Sequence, residues 1–218
     1  MLEILLGVAC VVIAYLLGSI PSGYLVARVR GVNIQQVGSG NIGATNVLRA
    51  VGVLPAIFVV ILDPLKGALA VLLPLLLGLP PVVVAAAGLA VALGNNYNVF
   101  LKFRGGKGIA TSLGVILVVS PLVGLLAAAL GIYAIALGRL VSLGSLIGVA
   151  AAPVMLAAQG ADPSYMALGI ALALLATWRH RENIVRLAAG TENRIGRRKP
   201  PENQPPVVPP AADAGEAD

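Results

Sequence analysis

The sequence predicts an all-α, polytopic membrane protein of seven transmembrane helices, with its N-terminus outside and its C-terminus cytoplasmic. Three observations carry this expectation. Apolar residues make up 58% of the chain and charged residues only 11%, where a soluble domain has about a quarter charged. The apolar residues gather in long runs, on the scale of the roughly 20 residues that a spanning helix needs. The cations are confined: loops at 28–49, 102–107, 139 and 179–199 hold every Lys and Arg except Lys66. Seven crossings put all of these loops on one face, which the positive-inside rule makes cytoplasmic, and leave Glu3 and Asp162 on the other.

Taken in order, the first apolar segment runs from about Ile4 to Ala27, and Pro21 is expected to kink it near one end. No basic region precedes it, so it reads as a retained helix rather than a cleaved leader. A polar stretch, Arg28 to Arg49, follows. The second segment spans about Val53 to Leu77 and is interrupted by Asp63-Pro64-Leu65-Lys66-Gly67. Gly78-Leu79-Pro80-Pro81 makes a tight turn. The third segment is about Val82 to Leu93. Ile109–Val119 and Leu122–Leu137, split by Ser120-Pro121, are the short fourth and fifth; the fourth could begin near Gly106. The sixth runs from about Val141 to Ala158, and the seventh from about Tyr165 to Trp178. Basic residues fill Arg179 to Lys199. The chain therefore divides into a membrane domain, residues 1–195, and a Pro- and Ala-rich tail, 196–218, expected to be disordered.

The net charge of +6 belongs to the cytoplasmic loops. In a membrane protein it speaks for anionic lipid or an anionic substrate, not for nucleic acid. The single cysteine, Cys10, sits in an apolar run, so there is no disulfide framework.

The stretch Gly94 to Gly114, GNNYNVFLKFRGGKGIATSLG, organises the chain. It holds Lys102, Arg104 and Lys107 and the cluster Gly105-Gly106-Lys107-Gly108, with a helical pattern restarting at Ile109. Glycines let bare N–H groups approach a ligand, and a helix start adds unpaired donors and partial positive charge. This is an anion seat, most simply for phosphate; the alternative is a cationic loop that serves only topology. It is not a Walker A motif, because position 101 is Leu and Gly108 replaces the Ser/Thr.

Two further loops carry polar chemistry. Gly38 to Arg49, GSGNIGATNVLR, interleaves glycines with Ser39, Asn41, Thr45 and Asn46. Such a loop can form a nest of N–H donors, and Arg49 offers a bidentate fork. Arg179 to Glu192 holds the only histidine, His180, with Asn183 and Arg186 spaced to share a helix face. A plainer reading of the second is a basic helix resting on anionic headgroups. Ser142 and Ser145 follow Arg139, where hydroxyls commonly cap helices. Asp63 and Lys66 form a candidate intramembrane ion pair, read as structural. No His, Cys, Asp or Glu cluster is spaced for a metal, and no Ser-His-Asp set is evident. A reaction here needs an activated substrate and electrostatic stabilisation rather than a strong protein base.

From Gly18 to Glu192 these motifs resemble the bacterial acyl-phosphate:glycerol-3-phosphate acyltransferase family. The residues that carry the resemblance are GSIPSGYL (18–25), GSGNIGATNVLR (38–49), DPLKG (63–67), FLKFRGGKGIATSLG (100–114), SLGS (142–145) and HRENIVRL (180–187). The resemblance implies a seven-helix fold in the bacterial inner membrane with its site facing the cytoplasm. It implies transfer of a fatty acyl group from acyl phosphate to glycerol 3-phosphate, giving lysophosphatidic acid and phosphate, with no cofactor. The enzyme that makes acyl phosphate is a further implied partner. Carried over by motif, Ser39, Arg49, Lys107, His180 and Asn183 are the implied catalytic residues. Asn41, Thr45, Asn46, Gly105, Gly106, Gly108, Ser142 and Ser145 are the implied substrate-binding ones, and Glu192 belongs to the last motif. One departure stands out: many members have Gly-His and a following Pro where this chain has Gly94-Asn95 and Asn98. The His-x4-Asp dyad of other glycerophosphate acyltransferases is absent, since Val185 stands five after His180.

A carrier for a phosphorylated metabolite would also need cationic glycine loops. It would place its polar residues near the midplane, often in two similar halves. Here they fall on one face, without an internal repeat, which favours the enzyme.

Overall fold

A computed structural model describes residues 1–196. The expected tail lies outside the described residues except for position 196. The described residues are helical, with no strand. The helices are α1 (Leu2–Gly18), α2 (Ser22–Val29), α3 (Ala44–Ala50), α4 (Val53–Leu76), α5 (Pro81–Asn96), α6 (Ile109–Val119), α7 (Pro121–Gly138), α8 (Val141–Ala158), α9 (Pro163–Arg179) and α10 (Arg181–Ala188). Short 3₁₀ turns cover Ile34–Gln36 and Val99–Leu101.

Among the described residues, five stretches are long and apolar enough to cross a membrane: α1 with α2, α4, α5 with its following turn, α7 and α8. Helix α6, at 11 residues, and α9, at 17, are shorter. Proline starts α5, α7 and α9, where its missing N–H costs nothing. Asp162 caps α9 by accepting the Ser164 N–H at 2.8 Å. Large apolar side chains such as Leu5, Ile61, Leu126 and Leu174 face outward, as a lipid-facing surface requires.

The core is built from small side chains. Ala87, Val91, Val115, Leu156 and Leu172 are its buried centre. Several crossings are too close for any side chain, two of them on α5 and α6. A Cβ on Gly94 would lie 2.1 Å from the Tyr15 carbonyl oxygen, and one on Gly114 would lie 1.9 Å from that of Pro64. Glycine is therefore what lets α5 approach α1 and α6 approach α4. A second cluster, Ala27, Ile34, Ile42, Val47, Ala56 and Val59, ties α2, α3 and the start of α4 together at one end of the bundle.

Three features differ from the sequence expectation. Pro21 does not bend one helix; it separates α1 from α2, with Ser19 and Ile20 in the break. The polar insert Asp63–Gly67 does not interrupt α4, which runs through Pro64 and Pro74. Packing on α6 supports the helix where proline removes a backbone bond. The stretch 28–49 is not all loop, because its last residues form α3.

Gly114→Val should force α4 and α6 apart at a cost of roughly 1–3 kcal/mol. A lowered thermal midpoint in detergent is the expected reading; an unchanged midpoint would contradict the close crossing.

Candidate active site

Helices break at several points near one end of the bundle, and an open cavity of about 270 Å³ lies among the breaks. Ser39, Asn41, Thr45, Asn46 and Arg49 form one wall. Gly106, Lys107, Gly108 and the first turn of α6 form the facing wall. Ser142 and Ser145 of α8 and His180 and Asn183 complete it. Every residue the sequence singled out for the site thus meets the cavity except Gly105. That glycine lies under the loop, where a Cβ would fall 2.1 Å from the Asn95 carbonyl oxygen.

Each wall is held by its own bonds. Asn46, only 2% exposed, folds the first loop around itself. Its Oδ1 accepts the Ser39 N–H at 3.0 Å. Its Nδ2 donates to the carbonyls of Val37 and Asn41, both at 2.9 Å, and of Ile34 at 3.3 Å. The Asn46 side chain therefore shapes the loop from inside, and Asn41 does the same locally by accepting the Gly43 N–H. Arg49 stands exposed on the cavity wall with no hydrogen bond or ion pair among the described residues.

The glycine loop is clamped from both sides. The Gly106 N–H donates to the Asn95 carbonyl at 2.8 Å. Arg179 donates to the Gly106 carbonyl from Nη2 at 3.0 Å and from Nε at 3.2 Å, and stacks over the Tyr97 ring at 5.2 Å. Gly108, in the left-handed region at φ 75°, turns the chain into α6. Beneath the loop, Lys66 Nζ donates to Asn95 Oδ1 at 2.7 Å and to the Ile20 carbonyl at 3.1 Å. It also lies 3.0 Å from Asp63, which accepts from Ser22 as well. Asp63 and Asn95 reach the cavity. The ion pair read from the sequence is real, and it is part of the site's floor.

The third wall is a chain of charge. Lys107 donates to Asn183 Oδ1, Asn183 Nδ2 donates to Glu192 at 2.8 Å, and Glu192 pairs with Arg186 at 2.8 Å. Burial lowers the Lys107 pKa to about 8; Glu192 opposes this and Arg186 adds to it. Burial would raise the Glu192 carboxyl, but hydrogen bonds from Asn183 and Arg186 hold it below its usual value. The nearby Ser142 hydroxyl adds to that lowering without reaching hydrogen-bond geometry, and is otherwise unpartnered among the described residues.

His180 is 3% exposed, and its Nδ1 lies 2.8 Å from the Ala176 carbonyl. A carbonyl only accepts, so Nδ1 carries the proton and Nε2 keeps a lone pair. Burial lowers the pKa to about 4, against the Ala176 bond and with help from Lys107. His180 is thus a neutral acceptor at physiological pH, and a weak base.

Sequence reasoning missed Arg179, Asn95 and Asp63. Arg179 looked like one more topology cation, and Asn95 like a departure at the edge. Asp63 and Lys66 were legible as a pair but not as a floor.

An apolar groove of about 150 Å³ adjoins the polar cavity. Leu113 and Ile116 of α6, Ala128 and Ile132 of α7 and Gly148 of α8 line it. Ile109 and Ser145 belong to both spaces.

As the only histidine, His180 can be followed by ¹⁵N NMR. It should remain the neutral Nδ1–H tautomer at pH 6 and protonate near pH 4. Its folded value lies below the unfolded one of about 6.5, so the unfolded chain binds more protons between the two and stability falls as pH drops through that window. A titration near 6.5 would contradict the buried, neutral ring.

Comparison with known proteins identifies the family. The sequence profile described as glycerol-3-phosphate acyltransferase matches residues 8–190. A glycerol-3-phosphate acyltransferase of Thermus thermophilus is 50% identical over 186 residues, covering 85% of this chain and 94% of that protein. The crystal structure of PlsY (YgiH), an integral membrane glycerol 3-phosphate acyltransferase, in its glycerol 3-phosphate form has a TM-score of 0.84 at 41% identity. It covers 87% of this chain and 96% of its own. The lysophosphatidic acid form of the same protein has a TM-score of 0.82 at 40% identity, covering 87% of this chain and 95% of its own. On sequence and fold together, the chain belongs to the glycerol-3-phosphate acyltransferase family of integral membrane enzymes.

Proposed function

We propose that this protein transfers a fatty acyl group from acyl phosphate to the 1-hydroxyl of glycerol 3-phosphate, releasing lysophosphatidic acid and phosphate for phospholipid synthesis. One observation carries the reading: a cationic cavity able to hold anions opens into an apolar groove able to take a fatty tail. Lys107 and the first turn of α6 hold the phosphate of the donor, and the tail enters the groove past Ile109 and Ser145. Arg49, with the Ser39–Asn46 loop, holds the acceptor phosphate. The 1-hydroxyl oxygen attacks the acyl carbonyl carbon, the bond from that carbon to the phosphate oxygen breaks, and phosphate leaves.

The hydroxyl proton goes with the leaving phosphate. His180 has a pKa of about 4, whereas a phosphate group holds its second proton with a pKa of about 6. The departing phosphate is the stronger base. His180 Nε2 instead accepts a hydrogen bond from the hydroxyl and aims it. The mixed anhydride is already activated, so positioning and charge stabilisation suffice. The donor is handed on by the enzyme that makes it.

The membrane domain, residues 1–195, has seven spans on this reading: the five long stretches together with α6 and α9. The basic loops support a cavity on the cytoplasmic face of a bacterial inner membrane, with the N-terminus outside. In a variant lacking Cys10, a cysteine at 162 should label from outside and one at 194 only after permeabilisation. The reverse pattern would overturn this topology.

The purified protein should form lysophosphatidic acid from acyl phosphate and glycerol 3-phosphate, and none when acyl phosphate is replaced by free fatty acid. Absence of product with both substrates present would refute the function. Lys107→Ala should cost on the order of 3 kcal/mol of transition-state stabilisation, as for loss of one oxyanion donor. Arg49→Ala should raise KM for glycerol 3-phosphate far more than KM for acyl phosphate. Equal shifts for both substrates would remove the division into two seats. With a Lys107 pKa of about 8, kcat/KM should fall as pH rises through that value, because the ammonium loses its charge.

A further inference from the structure

No role has fallen to Thr111, the third residue of α6. It is 1% exposed, it lies on the cavity wall, and its Oγ1 has no hydrogen-bond partner among the described residues. A buried hydroxyl left unpaired costs stability, so its presence calls for a cause. A threonine inside a helix usually bonds the carbonyl four residues back. Thr177 does so, donating to the Ala173 carbonyl at 2.8 Å. For Thr111 that carbonyl would be Lys107, but Gly108 turns the backbone there and the bond is not made.

The position is also fixed. A Cβ on Gly67 would lie 2.1 Å from the Thr111 carbonyl oxygen, so α4 holds this turn in place. The first backbone bond of α6 runs from the Ser112 N–H to the Gly108 carbonyl at 2.7 Å. The N–H groups of Ile109, Ala110 and Thr111 therefore have no acceptor within their own helix. An unpaired hydroxyl, three free N–H groups and the Lys107 ammonium share one wall.

We propose that the Thr111 hydroxyl donates a hydrogen bond to a phosphate oxygen of the acyl-phosphate donor, completing the seat made by Lys107 and the start of α6. This rests on the reading of acyl phosphate as donor. The hydroxyl serves the bound anion and contributes nothing to the unliganded fold, which sets it apart from a structural threonine.

Thr111→Val keeps the shape and removes the hydroxyl. Its kcat/KM for acyl phosphate should fall on the order of ten- to a hundredfold, as for a lost hydrogen bond to a charged group. KM for glycerol 3-phosphate should change less than about threefold, and Thr111→Ser should restore most activity. The thermal midpoint of the unliganded protein should stay equal or rise. Inorganic phosphate should raise the midpoint of the wild type and do so less for Thr111→Val. Wild-type kinetics in Thr111→Val would overturn the assignment, as would a lowered unliganded midpoint or equal shifts for both substrates. If the wild type transfers nothing from acyl phosphate, the functional reading itself falls. A phosphate effect abolished by Thr111→Val would then still support the anion contact, and one left intact would overturn it.

Discussion

Backbone groups freed by broken helices must find partners where water is scarce, and the rest of this structure depends on how that is done. The break between α1 and α2 exposes the carbonyls of Ser19 and Ile20. The side chain of Asn98 donates to the first and Lys66 to the second. Ser19 in turn donates to the Gly94 carbonyl at 3.2 Å, and the Tyr15 hydroxyl to that of Tyr97 at 2.9 Å. These bonds cap the end of α5 against α1. Lys66 is the hub, because its three donors reach Ile20, Asp63 and Asn95. Losing it would strand a buried carboxylate and a carbonyl together, the costly way to break a buried pair. The cavity exists because the helices stop there, and they can stop there because these side chains take over.

The same economy governs charge. Lys107 and Arg186 share a wall, and Glu192 sits between them in effect, paired with Arg186 and joined to Lys107 through Asn183. The carboxylate moderates repulsion between cations while no anion is bound. It does not neutralise Lys107 directly, because the amide of Asn183 stands between. One donor of the ammonium is committed to Asn183, and the others remain for a ligand. On the opposite side, the negative charge of Asp63 is balanced by Lys66 before it can oppose an anion in the cavity.

Much of this was legible in the sequence, for physical reasons. Apolar runs and cation placement are local signals, and they gave the membrane class and the positions of the helices. Glycine, hydroxyl and cation spacing marked three loops that do meet at one cavity. What was not legible depends on distant partners. Asp63 meets Ser22 across 41 positions, Lys66 meets Asn95 across 29, and Arg179 meets Gly106 across 73. No periodicity records such pairings. The role of Asn46 was hidden for a different reason: an asparagine in a glycine-rich loop looks the same whether its amide faces a ligand or its own backbone. Only the four bonds it makes inside the loop decide between them.

The position of His180 ties the proposed chemistry to the architecture. It caps the junction of α9 and α10, and its backbone N–H bonds back to Ala176 at 2.9 Å beside the Nδ1 bond to the same carbonyl. That double tether fixes the ring and selects its tautomer. The burial that achieves this also strips the ring of basicity. A site built this way trades base strength for aim. Under the proposed function it suits a donor whose leaving group takes the proton itself and would be held by Lys107. A donor with a poorly basic or uncharged leaving group would find neither a base in His180 nor a partner for the ammonium. Under the proposed function, preference for an acyl phosphate is therefore a consequence of how the α9–α10 junction is folded, as much as of the glycine loop that grips the phosphate.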